Sequence, residues 1–326
     1  MKLATYQDGS RDGQLIVVSR DLAFAHYATG IASTLQQVID DWNFIAPQLQ
    51  DLYVALNQGR ARHAFPFEAA RCMAPLPRAY RWAVGSAYRG AAGLSPGQSV
   101  MASGWREAAG DAFLGPCEDV RLFDEAAALD FGAGLAVVSG DLPPRCSPEQ
   151  GLDGIRLLLL ANDWSLRALL SPGRGGVGGP PQAYPATAFG PVAVTLDELG
   201  AAWERGRPRL TLQMSWNGRK IGICDAGEMD EHFGQLLAQL GRSRGITAGS
   251  VVGSGIVANR GQDSDGWREW PRGFGCLAHK QAIERESDAG SSVTGLRHGD
   301  TVRIEARGRD GLSLFGAIEQ TVLPAD

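Results

Sequence analysis

The sequence predicts a β-rich α+β fold, and three observations carry that reading. Short apolar runs recur at 130–138, 210–216, 250–257 and 301–306, each bounded by glycine or proline, as strands are. Helical periodicity is scarcer; its clearest case is 231–244, where Phe233, Leu236, Leu237 and Leu240 share a face. The 43 glycines follow no collagen-like period, so they belong in turns and loops. Many short strands with few helices define an α+β chain.

Taken in order, residues 3–6 and 15–18 flank "DGSRDG" and predict a glycine-turned hairpin. Helices are expected over 33–44 and 47–57; in the first, Leu35, Val38, Ile39 and Trp42 line one face. "MAPLPRAY" is proline-rich and reads as a linker, giving a small domain over 1–74, a linker over 75–80 and a larger domain over 81–326. The stretch 81–116 is poor in pattern and is expected to be a long loop. A helix is expected over 148–160, and a closing hairpin turns at Arg309, Asp310 and Gly311.

The composition narrows the function classes. A net charge of −5 and no run of lysine or arginine argue against a nucleic-acid surface. Five scattered cysteines without a Cys-x-x-Cys pair suit a reducing cytoplasm better than a disulfide framework or a zinc site. Lys2, Asp8, Arg11 and Asp12 interrupt any signal-peptide core, and the apolar runs are too short to span a bilayer. The expectation is a cytoplasmic protein without membrane or nucleic-acid partners. "GRGGVG" (173–178) matches a dinucleotide fingerprint by letters, but it follows "LLSP" rather than a strand. The span 173–181 reads instead as a loop covering a cleft.

The run "DFGAGLAVVSGD" raises a question of its own. Gly132 and Gly134 empty two same-face positions of an otherwise strand-forming stretch, and glycine inside a strand marks a bulge, a bend or a close approach. Several segments around it, including "HYATGIASTLQQVIDDWNF", "LANDWSLRALL", "YPATAFGPVAVTLDELG" and "AGSVVGSGIVAN", resemble the fumarylacetoacetate hydrolase family in the family's order. That resemblance implies a small N-terminal domain, a mixed β-sandwich or β-roll C-terminal domain, and a homodimer. It also implies hydrolysis, decarboxylation or isomerisation of 1,3-dicarbonyl acids at a divalent ion held by carboxylates. Such an ion takes several hard oxygen ligands and absorbs enolate charge.

By the same resemblance, Gly132 and Gly134 stand where the family carries a Glu-x-Glu metal pair. Val84 stands for a metal aspartate and Ala91 for the catalytic histidine. Tyr184 replaces a lysine, Ile256 a threonine, and His279 the glutamate that orients the histidine. Asp163 alone remains of four metal carboxylates. Glu118, Asp119, Asp124 and Glu125 are candidate replacement ligands, but a charge run there reads better as a solvated turn.

The expected site therefore holds His279, Asp163, Tyr88 and Tyr184 as catalytic groups. Arg167, Trp164, Ile256, Gly132 and Gly134 are expected around a small-molecule substrate, with no metal and no cofactor. His279 would face the space left by the old base and exchange a proton near neutrality. Three functional readings follow, in order. The first is a repurposed, metal-independent enzyme that cyclises, condenses or isomerises a dicarbonyl or polyketide-like molecule. The second is a non-catalytic binding subunit, and the third a metal-dependent hydrolase of acylpyruvate-type C–C bonds using displaced ligands.

Overall fold

Ser147 and Gln150 close a reciprocal capping box, so a helix starts at Pro148, but it runs only over Pro148–Asp153 and ends at Gly154. The leucines beyond it belong to the strand Ile155–Asp163, which corrects the helix expected over 148–160. Leu157 and Leu159 pack into one core cluster and Leu158 and Leu160 into another. A strand buried on both faces reads as a continuous apolar run, which periodicity cannot tell from a helix.

This strand lies near the middle of an eleven-stranded sheet in a computed structural model that describes residues 1–88, 105–170, 179–259, 273–286 and 295–325. From one edge the order is Phe65–Pro66, Phe24–Tyr27, Gln14–Val18, Lys2–Tyr6, Ala193–Val194 and Ile155–Asp163. It continues through Ala133–Ser139, Val251–Ile256 and Trp82–Val84 to Arg106–Ala108, with Thr187–Phe189 also pairing with Ile155–Asp163. The N-terminal hairpin forms as expected, and Lys2 and Leu3 pair with Val194 and Ala193, so the first strands extend the large sheet. A second sheet of five strands comprises Arg219–Asp225, Thr211–Trp216, Thr301–Arg307, Ser313–Pro324 and Val120–Leu122.

One core fills the space between the sheets, with Leu135, Val137, Leu158 and Leu160 against Leu212, Met214, Ile304 and Phe315. The other lies on the opposite face of the large sheet, where Leu157, Leu159, Ala136 and Val138 meet Leu35, Val38, Leu49 and Tyr53 of the two N-terminal helices. Those helices span Leu35–Asp40 and Trp42–Asn57, so the break falls at Asp41 and Pro47 is accommodated inside the second helix.

The expectation of a long loop over 81–116 fails at both ends. Trp82–Val84 pairs in parallel with Val251–Ile256, and Arg106–Ala108 pairs antiparallel with Trp82–Val84. Three-residue strands carry too little pattern to be read locally. The sheet also curls back on itself beyond this edge. Leu114 bridges Ala188, and Trp82, Phe113 and Phe189 meet edge to face with centroids 4.9–6.2 Å apart. That curl brings the Arg106 edge to the end of the strand that carries Asp163.

Candidate active site

Register alone puts the site residues on one face. Asp163 pairs with Thr187, Ala161 with Gly134, and Arg106 with Val84, which is itself opposite Gly253. Residues paired across strands, and those two apart along a strand, point to the same side of a sheet. Asp163, Thr187, Val84 and Arg106 thus share the face that carries Ala161 and Ala136.

Asp163 is the centre of a short polar chain. The indole Nε1 of Trp82 donates to Thr187 Oγ1 at 3.1 Å, and Thr187 Oγ1 donates to Asp163 Oδ1 at 2.9 Å. The other carboxylate oxygen, Oδ2, accepts from Arg106 Nη2 in an ion pair whose side chains are 9% (Arg106) and 15% (Asp163) exposed. The Arg106 guanidinium lies over the Tyr184 ring, 3.5 Å from its centroid, a cation–π contact that sets the plane of the fork. Burial raises the Tyr184 hydroxyl pKa. Arg106 Nη1 is buried and has no hydrogen-bond partner among the described residues.

The two glycines have a local reason. A Cβ on Gly132 would stand 2.7 Å from the carbonyl oxygen of Asp163, with the Ile256 side chain at 3.1 Å. One on Gly134 would stand 2.7 Å from the carbonyl oxygen of Gly255. Both glycines therefore sit where neighbouring backbone approaches too closely for any side chain, and Ile256 fills the space beside the first. Gly132 N donates to Asn162 Oδ1 at 3.0 Å, and its carbonyl accepts from Asp163 N at 2.9 Å. A buried amide beneath completes the arrangement. Gln320 Oε1 accepts from Asn162 Nδ2 at 3.2 Å and from Trp164 Nε1 at 3.1 Å.

Of the residues expected in the site, Asp163, Tyr184, Ile256, Gly132 and Gly134 are brought together. Trp164 is fully buried on the opposite face, its only polar atom committed to Gln320, so it has a scaffold role in place of the substrate contact expected. Tyr88 lies in the inter-sheet core; its hydroxyl donates to Ala226 O at 2.8 Å, and burial raises its pKa well above the usual tyrosine value. His279 is fully buried on the helix Leu277–Glu286, and the side-chain partners of Asp163 are Arg106 and Thr187 instead. Ala91 and residues 173–178 of the cleft loop expected over 173–181 lie outside the described residues.

Arg167 belongs to a second cluster. Its Nε is 3.5 Å from Asp130 Oδ2, and its Nη1 donates to Gln281 Oε1 at 2.6 Å. Asp130, 2% exposed, accepts from the backbone N–H groups of Leu277 (2.9 Å) and Ala278 (2.8 Å), so it caps the helix that carries His279. Burial pushes the Asp130 pKa up, against the opposing pull of Arg167 and the two amides.

Sequence reading missed Arg106, Thr187, Asn162, Gln320 and Asp130. Thr187 sits inside the quoted "YPATAF" and Asp130 opens "DFGAG", so both were in view without a partner to define them. Arg106 stood in a stretch without pattern.

The chain thus builds a strand-rich two-sheet scaffold with a buried arginine–aspartate pair at one end of the larger sheet. The fumarylacetoacetase N-terminal domain 2 family matches residues 1–78, and the fumarylacetoacetate (FAA) hydrolase C-terminal family matches residues 84–323. The chain belongs to the fumarylacetoacetate hydrolase family. Its fold is similar to that of maleylpyruvate hydrolase from Sphingobium sp. SYK-6 in complex with manganese(II) and pyruvate, at TM-score 0.67 and 15% identity. It is also similar to fumarylacetoacetate hydrolase from the psychrophilic Exiguobacterium antarcticum (0.63, 17%) and to 5-carboxymethyl-2-hydroxymuconate delta-isomerase from Mycobacterium smegmatis (0.58, 14%). In each case the whole of both chains is covered. No curated protein matches the chain in sequence. No helix among the described residues is long and apolar enough to cross a membrane.

Among the described residues, the donor set around Asp163 does not fit the divalent ion that the family implies. Asp163 already faces a protein cation, and no group of three or more His, Cys, Asp or Glu among the described residues could hold a metal. The acidic stretch upstream is otherwise engaged. Glu118 accepts from Gly115 N, Asp119 from Thr321 N, Asp124 from Ala126 N and Glu125 from His298 N. A hard cation needs several oxygen ligands, and a guanidinium against the one central carboxylate repels it.

Proposed function

We propose that this chain is an enzyme acting on a small dicarbonyl or polyketide-like acid without a bound divalent metal. Of the cyclisation, condensation and isomerisation expected, proton-transfer isomerisation suits the site best. The observation that supports this is the Arg106 guanidinium held on Asp163 and over Tyr184. When a proton leaves the carbon between two carbonyls, the charge moves onto oxygen, and a fixed cationic donor stabilises it there. Asp163 stays in the polar chain that holds Arg106, and the Tyr184 ring lies against the same guanidinium. Burial keeps the Tyr184 hydroxyl protonated, so it can donate to the developing charge while the carbon's proton passes to water. His279 belongs to the proposal only if opening of its helix brings it to the substrate. A cytoplasmic homodimer is part of the same reading.

Deuterium incorporation at the central carbon of acetopyruvate and of 3-oxo acids, followed by NMR in heavy water with excess EDTA, tests this. The expected result is exchange above the buffer rate, unchanged by the chelator and lowered about 100-fold or more in Asp163→Asn. Absence of exchange would leave the non-catalytic binding subunit, which the loss of side chains at Gly132 and Gly134 also favours. Exchange or cleavage only after Mn²⁺ is added would mean displaced ligands and an ordinary hydrolase.

A further inference from the structure

We propose that Arg106 is the substrate's anchor, standing in for the metal ion, and that its Nη1 receives an anionic oxygen of a carboxylate or enolate. This rests on the reading above and adds the residue and the class of molecule it selects.

Three features of the site argue for it. First, Arg106 stands directly opposite Val84, the position at which the resemblance expects a metal aspartate. The strand pair thus carries a cation opposite an uncharged valine. Second, the guanidinium is pre-organised. Asp163 holds Nη2 and Tyr184 sets the plane, while Asp163 is itself fixed by Thr187 and Thr187 by Trp82. Little rotamer freedom remains to be lost when a ligand binds. Third, Nη1 is buried without an acceptor among the described residues. A buried donor left unpaired is unfavourable, more so when it is charged. An anionic oxygen on Nη1 completes the set with a charge-assisted bond.

The exchange of cation changes what the site selects. A divalent ion favours a chelate, in which a 2-oxo group and a carboxylate bind side by side. A guanidinium whose Nη2 is already taken offers directed N–H bonds from Nη1 and gains nothing from the 2-oxo group. The preferred ligand is therefore a small acid with one well-placed anionic oxygen, such as a 3-oxo acid or its enolate, with no requirement for a 2-oxo function.

Calorimetric titration of the purified full chain with malonate and with pyruvate, in EDTA and then with Mn²⁺, provides the test. Malonate is expected to bind in EDTA at millimolar concentration or tighter, at least as well as pyruvate, and Mn²⁺ should not tighten either. Arg106→Gln should weaken malonate by about 10- to 100-fold, the loss of a charge-assisted bond, and Arg106→Lys should recover only part of it. If Arg106→Gln does not fold, a crystal structure of the wild-type chain soaked with malonate decides instead, with a carboxylate oxygen on Nη1 expected. No malonate binding, binding that needs Mn²⁺, equal binding by Arg106→Gln, or a carboxylate seated away from Nη1 would each overturn the proposal. Malonate bound at Arg106 without carbon-acid exchange would retain the anchor and remove the enzyme. Exchange without malonate binding would do the reverse.

Discussion

Two buried arginine–aspartate pairs sit in this fold, and they differ in what surrounds them. Asp130 faces Arg167 and two helix amides, while Arg167 also binds Gln281. Asp163 faces Arg106 and Thr187, and Arg106 keeps one buried nitrogen without an acceptor while its face rests on Tyr184. The first pair holds a helix in place, and the second presents a charge. The chemistry is the same in both, so the difference lies in what the surrounding backbone supplies to the remaining donors and acceptors. Helix N–H groups satisfy Asp130, whereas Asp163 accepts from the Thr187 hydroxyl and the Arg106 guanidinium lies against an aromatic ring.

The largest effect is expected from cutting the pair that caps the helix. Asp130→Ala strips the N-terminal cap from Leu277–Glu286 and leaves the Arg167 charge buried. It should lower stability in urea unfolding by about 3–5 kcal/mol, as broken buried pairs do. Equal losses from Asp130→Ala and Arg106→Gln would show that the two pairs do not differ.

A third buried cation sharpens the contrast. Lys2, 2% exposed, donates to the Leu314 carbonyl at 2.8 Å, and burial lowers its pKa to about 8. Between that value and the unfolded lysine's 10.5, the unfolded chain binds more protons, so this group makes stability rise with pH across the window. Lys2→Met should be more stable than the parent by up to about 3 kcal/mol near pH 7, and the gap should close as pH climbs towards 10.5. A gap that is constant or widens with pH would mean that Lys2 is not held against its charge.

The glycines bound the second pair. Gly132→Ala and Gly134→Ala each place a Cβ 2.7 Å from a backbone oxygen, and each should lower stability by about 1–3 kcal/mol. Glutamates at both positions should be worse tolerated and should not create acylpyruvate cleavage. A stable double glutamate variant that cleaves acylpyruvates with Mn²⁺ would show that the glycines mark lost ligands and nothing more.

The effect at Arg106 itself is divided between stability and binding. Arg106→Gln takes the cation from a buried carboxylate, but Asp163 keeps its bond from Thr187 and the glutamine amide can still donate. The variant should therefore lose less stability than Asp130→Ala, about 1–3 kcal/mol, while ligand binding falls. A large loss of stability without a loss of binding would recast Arg106 as structural.

Much of this was legible along the chain. The hairpin at 2–18, the strands at 211–216, 251–256 and 301–307, and the helix Phe233–Leu240 announce themselves by alternation, period and turn residues, which are local properties. The family follows from motifs spread over the chain, and Asp163 follows from its motif. The leucine strand at 157–160 was not legible, because a run buried on both faces has no period to distinguish it.

The β-rich scaffold and the family were readable from the chain alone, which also singled out Asp163 and the two glycines, whereas the backbone that a Cβ at either glycine would meet appears only in the fold. Only the tertiary structure decided what Asp163 faces. Arg106 lies 57 residues away in a stretch with no pattern of its own, and it reaches the carboxylate because the sheet curls its far edge back past Trp82, Phe113 and Phe189. The structure likewise gave Trp164 and Tyr88 to the core and His279 to a helix tied down by Asp130. Local pattern reports which way a side chain faces on its own strand. Which charge it meets depends on the path of the other strands, and that path is fixed by packing over the whole sheet.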